Sequence, residues 1–168
     1  MLPRDWVKQA ERSTHGQYPK VAILGCIDSR VPVELIFDQG IGDVFVARVA
    51  GHVEDGCILG SLEYACRVAG SKLLLVLGHT DCGAVKSAID RVQLGHITTL
   101  LRCIEPAIES TQGYARSSKN VAYVTEVVKN NVCQTIARIR DKSPILAEME
   151  QGGETAIRGG CTSCIRAG

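Results

Sequence analysis

Apolar residues gather along this chain in short blocks whose period changes from one block to the next. Residues 20–26 (KVAILGC), 43–49 (DVFVARV) and 72–77 (KLLLVL) are apolar runs of strand length. The third is nearly continuous, as strands buried on both faces are. Between them the period becomes helical. Pro32 is placed to open a helix through Glu34, Leu35, Ile36 and Phe37, which Gly40 and Gly42 end. Residues 56–69 carry Ile58, Leu62, Ala65, Cys66 and Ala69 on one stripe, stopped by Gly70. A short helix over 6–12 precedes the break at 16–19, and another helix follows the third strand over 83–92. From 98 to 150 the periodicity is helical with little strand signal, and 120–141 is the longest candidate. Strands alternating with helices imply right-handed crossovers and parallel pairing. The expected fold is α/β: a mostly parallel central β-sheet flanked by helices, with a helical C-terminal half.

No linker, low-complexity stretch or internal repeat divides the 168 residues. One domain over 1–168 is expected, with an N-terminal arm or helix over 1–19, a core over 20–150 and an atypical short tail over 151–168. Composition is ordinary for a soluble globular protein, 45% hydrophobic and 22% charged. Nineteen Lys and Arg against 18 Asp and Glu give a net charge of +1, and the basic residues are scattered. That argues against a nucleic-acid stripe and a polybasic membrane patch. The apolar runs, about five to eight residues, fall far short of the roughly 20 that span a bilayer. The opening MLPRDW lacks a signal peptide's basic-then-apolar layout, so a cytoplasmic location is expected.

Eight cysteines add a second layer. Cys57, Cys66, Cys103 and Cys133 fall inside periodic apolar stretches, where free cysteine packs as a small hydrophobe. Cys26 and Cys82 stand instead at strand ends, which points to a reduced compartment with two chemically special thiols. Ligands of an open parallel sheet bind beyond the carboxyl ends of its strands. Strand one delivers Cys26-Ile27-Asp28-Ser29-Arg30 to that edge and strand three delivers Gly78-His79-Thr80-Asp81-Cys82-Gly83. Two thiolates and an imidazole suit tetrahedral zinc, and three protein ligands with a fourth position open mark a catalytic site. The spacing is not that of a zinc ribbon. Cys161–Cys164 does have ribbon spacing, but no second pair accompanies it, so a frayed terminal thiol pair is expected there. Asp28 and Arg30, two residues apart, point the same way and can pair. The bland alternative is a bridge that caps the following helix. A Cys82–His79 nucleophilic pair is also possible, but it leaves Cys26 and Asp28 without a role.

These motifs make the sequence resemble the β-class carbonic anhydrases. The likeness runs from Gly16 to about Leu146, carried by CIDSRVPVELIFDQGIGDVFVARVAG, GSLEYA, LGHTDCGAVKSAI and SPIL. The resemblance implies reversible hydration of carbon dioxide to bicarbonate and a proton. One zinc ion (Zn2+) per chain would be held by Cys26, His79 and Cys82, and the attack would come from zinc-bound hydroxide oriented by Asp28 and Arg30. It also implies a substrate pocket using Gln17, Phe45, Tyr64 and the backbone of Gly83. That pocket would lie at the interface of a homodimer or dimer of dimers, with Gln17 and Phe45 acting across subunits. Asp28 would ligate zinc only in a closed, inactive state. The family's bicarbonate-switched members carry tryptophan three residues before the first cysteine; Ile23 stands here, and with Gln17 it favours the always-open type.

Two departures from the pattern stand out. The family's Arg-Asn-Ala-Gly-Asn segment reads Arg48-Val49-Ala50-Gly51-His52, which removes two asparagines near the site. Where the family continues into a final strand with a tyrosine-rich segment, this sequence reads CTSCIRAG, so a short or remodelled last edge is expected. Phe45, Ala50 and the Val31 region are the expected apolar pocket for carbon dioxide, and His15, His52 and His96 are the candidate proton shuttles. Two other readings share the motifs: a carbon disulfide or carbonyl sulfide hydrolase, and a catalytically inactive zinc-binding assembly module.

Overall fold

A computed structural model describes residues 5–164 of the chain. The readings made on residues 1–4 and on the last four residues of CTSCIRAG lie outside the described residues. Four strands build one sheet in the order β2-β1-β3-β4, and every pairing is parallel. They are β1 Val21–Gly25, β2 Val44–Arg48, β3 Leu73–His79 and β4 Ala156–Thr162. After β1 the chain steps to one side for β2, then crosses back to place β3 on the other. The strand order therefore reverses between β1 and β3, and a crevice opens beyond their carboxyl ends at such a switch point.

The expected helices are present, with shifted ends. α1 Trp6–Ser13 is capped by Asp5, whose carboxylate accepts from the Lys8 amide. Pro32 caps α2 Val33–Ile36 instead of opening it. The stripe over 56–69 divides into α3 Gly56–Glu63 and a wider π turn, Tyr64–Val68. In the wider turn the consecutive Ala65 and Cys66 are both buried, while Tyr64 is left 54% exposed. α4 Gly83–Ile89, α5 Gly95–Arg102 and α6 Glu105–Ser110 follow β3. The 22-residue α7 Val121–Lys142 is capped by Asn120. It stops at Ser143-Pro144 because proline cannot donate the next helical hydrogen bond, and Ser143 then caps α8 Pro144–Gln151. Among the described residues no helix is long and apolar enough to cross a membrane.

The tail overturns an expectation. Of the expected frayed thiol pair, Cys164 is buried and Cys161 lies in β4, which pairs along its whole length with the seven residues of β3. Its signal is weak because AIRGGCT holds one large aliphatic residue and two glycines, and parallel pairing with a distant strand leaves no local mark. The glycine at 159 has a packing reason: a Cβ there would meet Val132 Cγ1 at 2.7 Å and Ile136 Cδ1 at 2.9 Å, both on α7. Gly78 on β3 makes the same allowance for Val128 and Val132. The core reading of four cysteines also needs correction. Cys66 is buried, whereas Cys57 and Cys133 are exposed and Cys103 is half-buried. On α7 Val132 and Ile136 are among the buried residues, and Cys133, one position past Val132, is turned about 100° from it.

Gly159→Val is expected to destabilise the chain by about 1–3 kcal/mol through this overlap with α7. Gly160→Ala should be nearly neutral, because its Cβ would meet only ordinary contacts at 3.6 and 3.7 Å. Urea unfolding of both variants checks the placement of β4 under α7.

Candidate metal centre

The crevice at the switch point receives Cys26 just past β1, His79 as the last residue of β3, and Cys82 at the start of α4. All three are buried, and their ligand atoms lie within 4.8 Å of one another. The two sulfurs are 4.0 Å apart. A disulfide would need about 2.05 Å. Two thiolates sharing a tetrahedral ion at Zn–S near 2.3 Å stand roughly 3.8 Å apart, so the spacing suits a shared cation.

The imidazole is turned for the same task. His79 Nδ1 is 3.0 Å from the Thr80 carbonyl, which sets the proton on that nitrogen. His79 Nε2 is buried and has no hydrogen-bond partner. An orphaned ring nitrogen beside two sulfurs is a lone pair waiting for an electron acceptor. Burial works against a charged His79, but the neighbouring Cys26 and Cys164 sulfurs outweigh it and lift the imidazole to about 9. The surrounding sulfurs thus favour positive charge at this position. A hydrogen bond from Cys82 holds Cys26 well below the usual thiol range, while the same contact and burial push Cys82 up. The cluster attracts positive charge, and the donor set fits zinc.

Backbone and side chains hold the Cys26–Asp28 turn in place. Arg48 donates from Nε to the Cys26 carbonyl at 2.8 Å and from Nη2 to the Asp28 carbonyl at 2.6 Å. The Gly51 amide donates to Cys26 Sγ at 3.4 Å, from a φ of +69° that favours glycine. Asn131 of α7 donates to the Gly51 carbonyl at 2.8 Å and lies 3.0 Å from His52 Nε2. An asparagine from a distant helix thus braces the segment in which the expected asparagines are missing. His52 is fully buried, and burial lowers its imidazole to about 4. It stays neutral near pH 7, which removes it from the shuttle candidates; His15 and His96 are exposed.

Asp28 and Arg30 pair through two bonds, Nε to Oδ1 at 2.9 Å and Nη2 to Oδ2 at 2.7 Å. The guanidinium holds the carboxyl down to about 2. Asp28 Oδ2 stands 4.0 Å from His79 Nε2, with the Arg30 guanidinium bonded to the same oxygen. Sequence reasoning missed the next link. Arg30 Nη1 donates to Asp81 Oδ2 at 3.0 Å, and Lys86 Nζ donates to Asp81 Oδ1 at 2.8 Å. Spacing gave no sign of this chain of charges, because it crosses between the two ligand loops.

A cavity of about 320 Å³ opens at the cluster, lined by Cys26, Asp28, Ala50 and Gly83. Its apolar wall comes from Ile97, Leu100 and Leu101 of α5. Their helical spacing was visible in the sequence, but nothing there linked them to the site. The other expected pocket residues lie elsewhere. Phe45 and Tyr64 line a separate apolar groove of about 580 Å³ between β2 and α3, and Gln17 is exposed before β1. Val31 is buried in the cluster that contains Cys26 and does not line the cavity.

Comparison with known proteins gives a consistent picture. A family profile described as "Carbonic anhydrase" matches residues 21–166. The chain is 38% identical over 149 residues to carbonic anhydrase 2 of Mycobacterium tuberculosis, covering 86% of this chain and 70% of that protein. It is 36% identical over 158 residues to a carbonic anhydrase of Mycolicibacterium smegmatis, covering 94% and 76%. Among solved structures it resembles the β-carbonic anhydrase CafA of Aspergillus fumigatus, with a TM-score of 0.83, 26% identity and coverage of 94% and 77%. A tetrameric β-carbonic anhydrase of Sordaria macrospora shares the fold at a TM-score of 0.79, with 22% identity and coverage of 97% and 83%.

Cys82→Ser is expected to weaken metal binding by more than about 100-fold, beyond the range typical of outer-shell changes. Cys161→Ser, on the exposed side of β4, should retain full metal content. Metal analysis after gel filtration distinguishes the two, and full retention by Cys82→Ser would remove this cluster as the metal site.

Proposed function

The chain belongs to the β-class carbonic anhydrase family of lyases, and on that premise we propose that it hydrates carbon dioxide reversibly to bicarbonate and a proton. One zinc ion per chain would be held by Cys26, His79 and Cys82. The observation that carries this reading is the unpartnered, buried Nε2 of His79 beside two sulfurs 4.0 Å apart, next to a clamped carboxylate. When bound, zinc supplies the Lewis acidity that makes water a nucleophile near neutral pH.

The chain's own residues then aim and protect the reaction. Asp28 accepts a hydrogen bond from the attacking water and so turns an oxygen lone pair toward the substrate carbon. Arg30 keeps that carboxylate ionised and prevents it from swinging onto the metal. The short apolar side chains of Ala50 and Ala84, with Ile97 and Leu100, suit an apolar gas and exclude bulk water. The Gly83 amide steadies an oxygen of the forming bicarbonate. Ile23, buried with Val33 and Leu77, leaves no tryptophan for a bicarbonate switch, so we assign the always-open type.

The same reading requires a second copy. Gln17, Phe45 and Tyr64 do not reach the cavity within one chain, and the groove that Phe45 and Tyr64 line at the β2 edge is apolar. We assign that edge to a homodimer in which Gln17 and Phe45 complete the partner's pocket, or to a dimer of dimers. Eight free thiols fit a reducing cytoplasm.

Stopped-flow carbon dioxide hydration tests the activity. Because Arg30 holds Asp28 ionised to about pH 2, activity should rise with pH as one ionisation, without cooperative loss on acidification. Arg30→Ala should lower the rate by about 100-fold or more while zinc content stays near that of the unaltered chain, as expected when a positioned polar group is lost. A fast Arg30→Ala variant would reduce the pair to a structural bridge. Light scattering should give a dimer or tetramer for the active species, and a fully active monomer would rule out the shared pocket.

A further inference from the structure

Strand β4 ends against the far side of the His79 ring. Past Thr162 the chain turns inward, and Cys164 is buried in the same apolar cluster as Cys26 and Cys82. Its Sγ lies 3.3 Å from His79 Nδ1 and 2.8 Å from the Thr80 carbonyl. Backbone bonds fix it there. The Thr80 amide donates to the Thr162 carbonyl at 2.9 Å, and the Cys164 amide donates to Thr80 Oγ1 at 3.1 Å. The Cys164 thiol donates in turn to the Thr80 carbonyl, so His79 Nδ1 has two acceptors within reach.

A ring nitrogen can hold a cation only if its proton sits on the other nitrogen, and the partners of that other nitrogen set both tautomer and ring rotation. The Thr80 carbonyl belongs to the residue next to His79, so the two move together. The sulfur belongs to the segment that follows β4 and gives the ring a reference outside its own loop. We propose that Cys164 is a positioning residue of the metal centre: its sulfur shares the Nδ1 proton of His79 with the Thr80 carbonyl and keeps Nε2 turned toward Cys26 and Cys82. This rests on the reading of those three residues as zinc ligands. It makes β4 part of the centre although that strand supplies no ligand.

Serine at 164 offers an oxygen with both donor and acceptor capacity, and alanine offers neither. The test measures zinc affinity of the full chain, Cys164→Ala and Cys164→Ser by competition with a chromophoric chelator. The absorption spectrum of each cobalt(II)-substituted protein is recorded alongside. Cys164→Ala should weaken zinc binding about tenfold, the low end for an outer-shell partner because the Thr80 carbonyl remains, and should shift the cobalt bands. Cys164→Ser should restore both, while the two metal-free variants melt together. Tight binding and unshifted bands in Cys164→Ala would overturn the assignment. So would a serine variant as weak as the alanine one, which would leave the thiol a packing role. Failure of the unaltered chain to bind zinc would overturn the ligand reading itself, a result distinct from a silent Cys164→Ala.

Discussion

Burying two sulfurs and an imidazole nitrogen within 4.8 Å is the constraint around which the rest of this molecule is arranged. Like-charged thiolates cannot share a dry site, and an unpaired ring nitrogen there is costly, unless positive charge joins them. The sheet places the cluster, because only the adjacency of β1 and β3 at the switch point brings Cys26 to His79. Arg48 and the Gly51 amide then hold one ligand, and the clasp between β4 and Thr80 holds the loop of the other two. Long helix α7 lies over both, close enough that two strand positions accept only glycine without displacement.

A second arrangement runs outward from the cluster. Asp28, Arg30, Asp81 and Lys86 alternate in sign and cross from one ligand loop to the other. Arg30 is half exposed, so each single pair contributes little to stability. Their value is geometric: a bidentate guanidinium between two carboxylates has one orientation that satisfies both. A carboxylate held in that way has a fixed position beside the Cys26–His79–Cys82 cluster. Elsewhere charge serves structure alone. Glu54 is buried and accepts from Arg138 and Lys142, tying the entry to α3 onto α7.

Within one chain the expected pocket residues do not come together. The cavity at the cluster is apolar on its α5 side, and Phe45 and Tyr64, expected to touch substrate, line a different groove. That separation follows from topology, since β2 is an edge strand and its outer side is the direction farthest from β3. A second copy at this edge would cover apolar surface, which is the physical case for the proposed dimer.

By itself the sequence determined what local pattern and chemistry can carry. Strands β1 to β3, the helices between them, the long helix α7, the Cys26, His79 and Cys82 donors at two strand ends and the Asp28–Arg30 pair all follow from period, turn residues and donor type. Tertiary structure decided whatever depends on distant segments meeting. β4 has little local strand signal and exists because β3 offers it a full ladder. Cys164 became a neighbour of His79 only through that pairing, and Cys57 and Cys133 left the core through helix rotation that an apolar stretch does not specify. Asp81 joined Arg30, and Asn131 braced Gly51, across separations no spacing rule spans. Local propensity is written residue by residue, whereas contact between distant segments is settled by packing the whole chain.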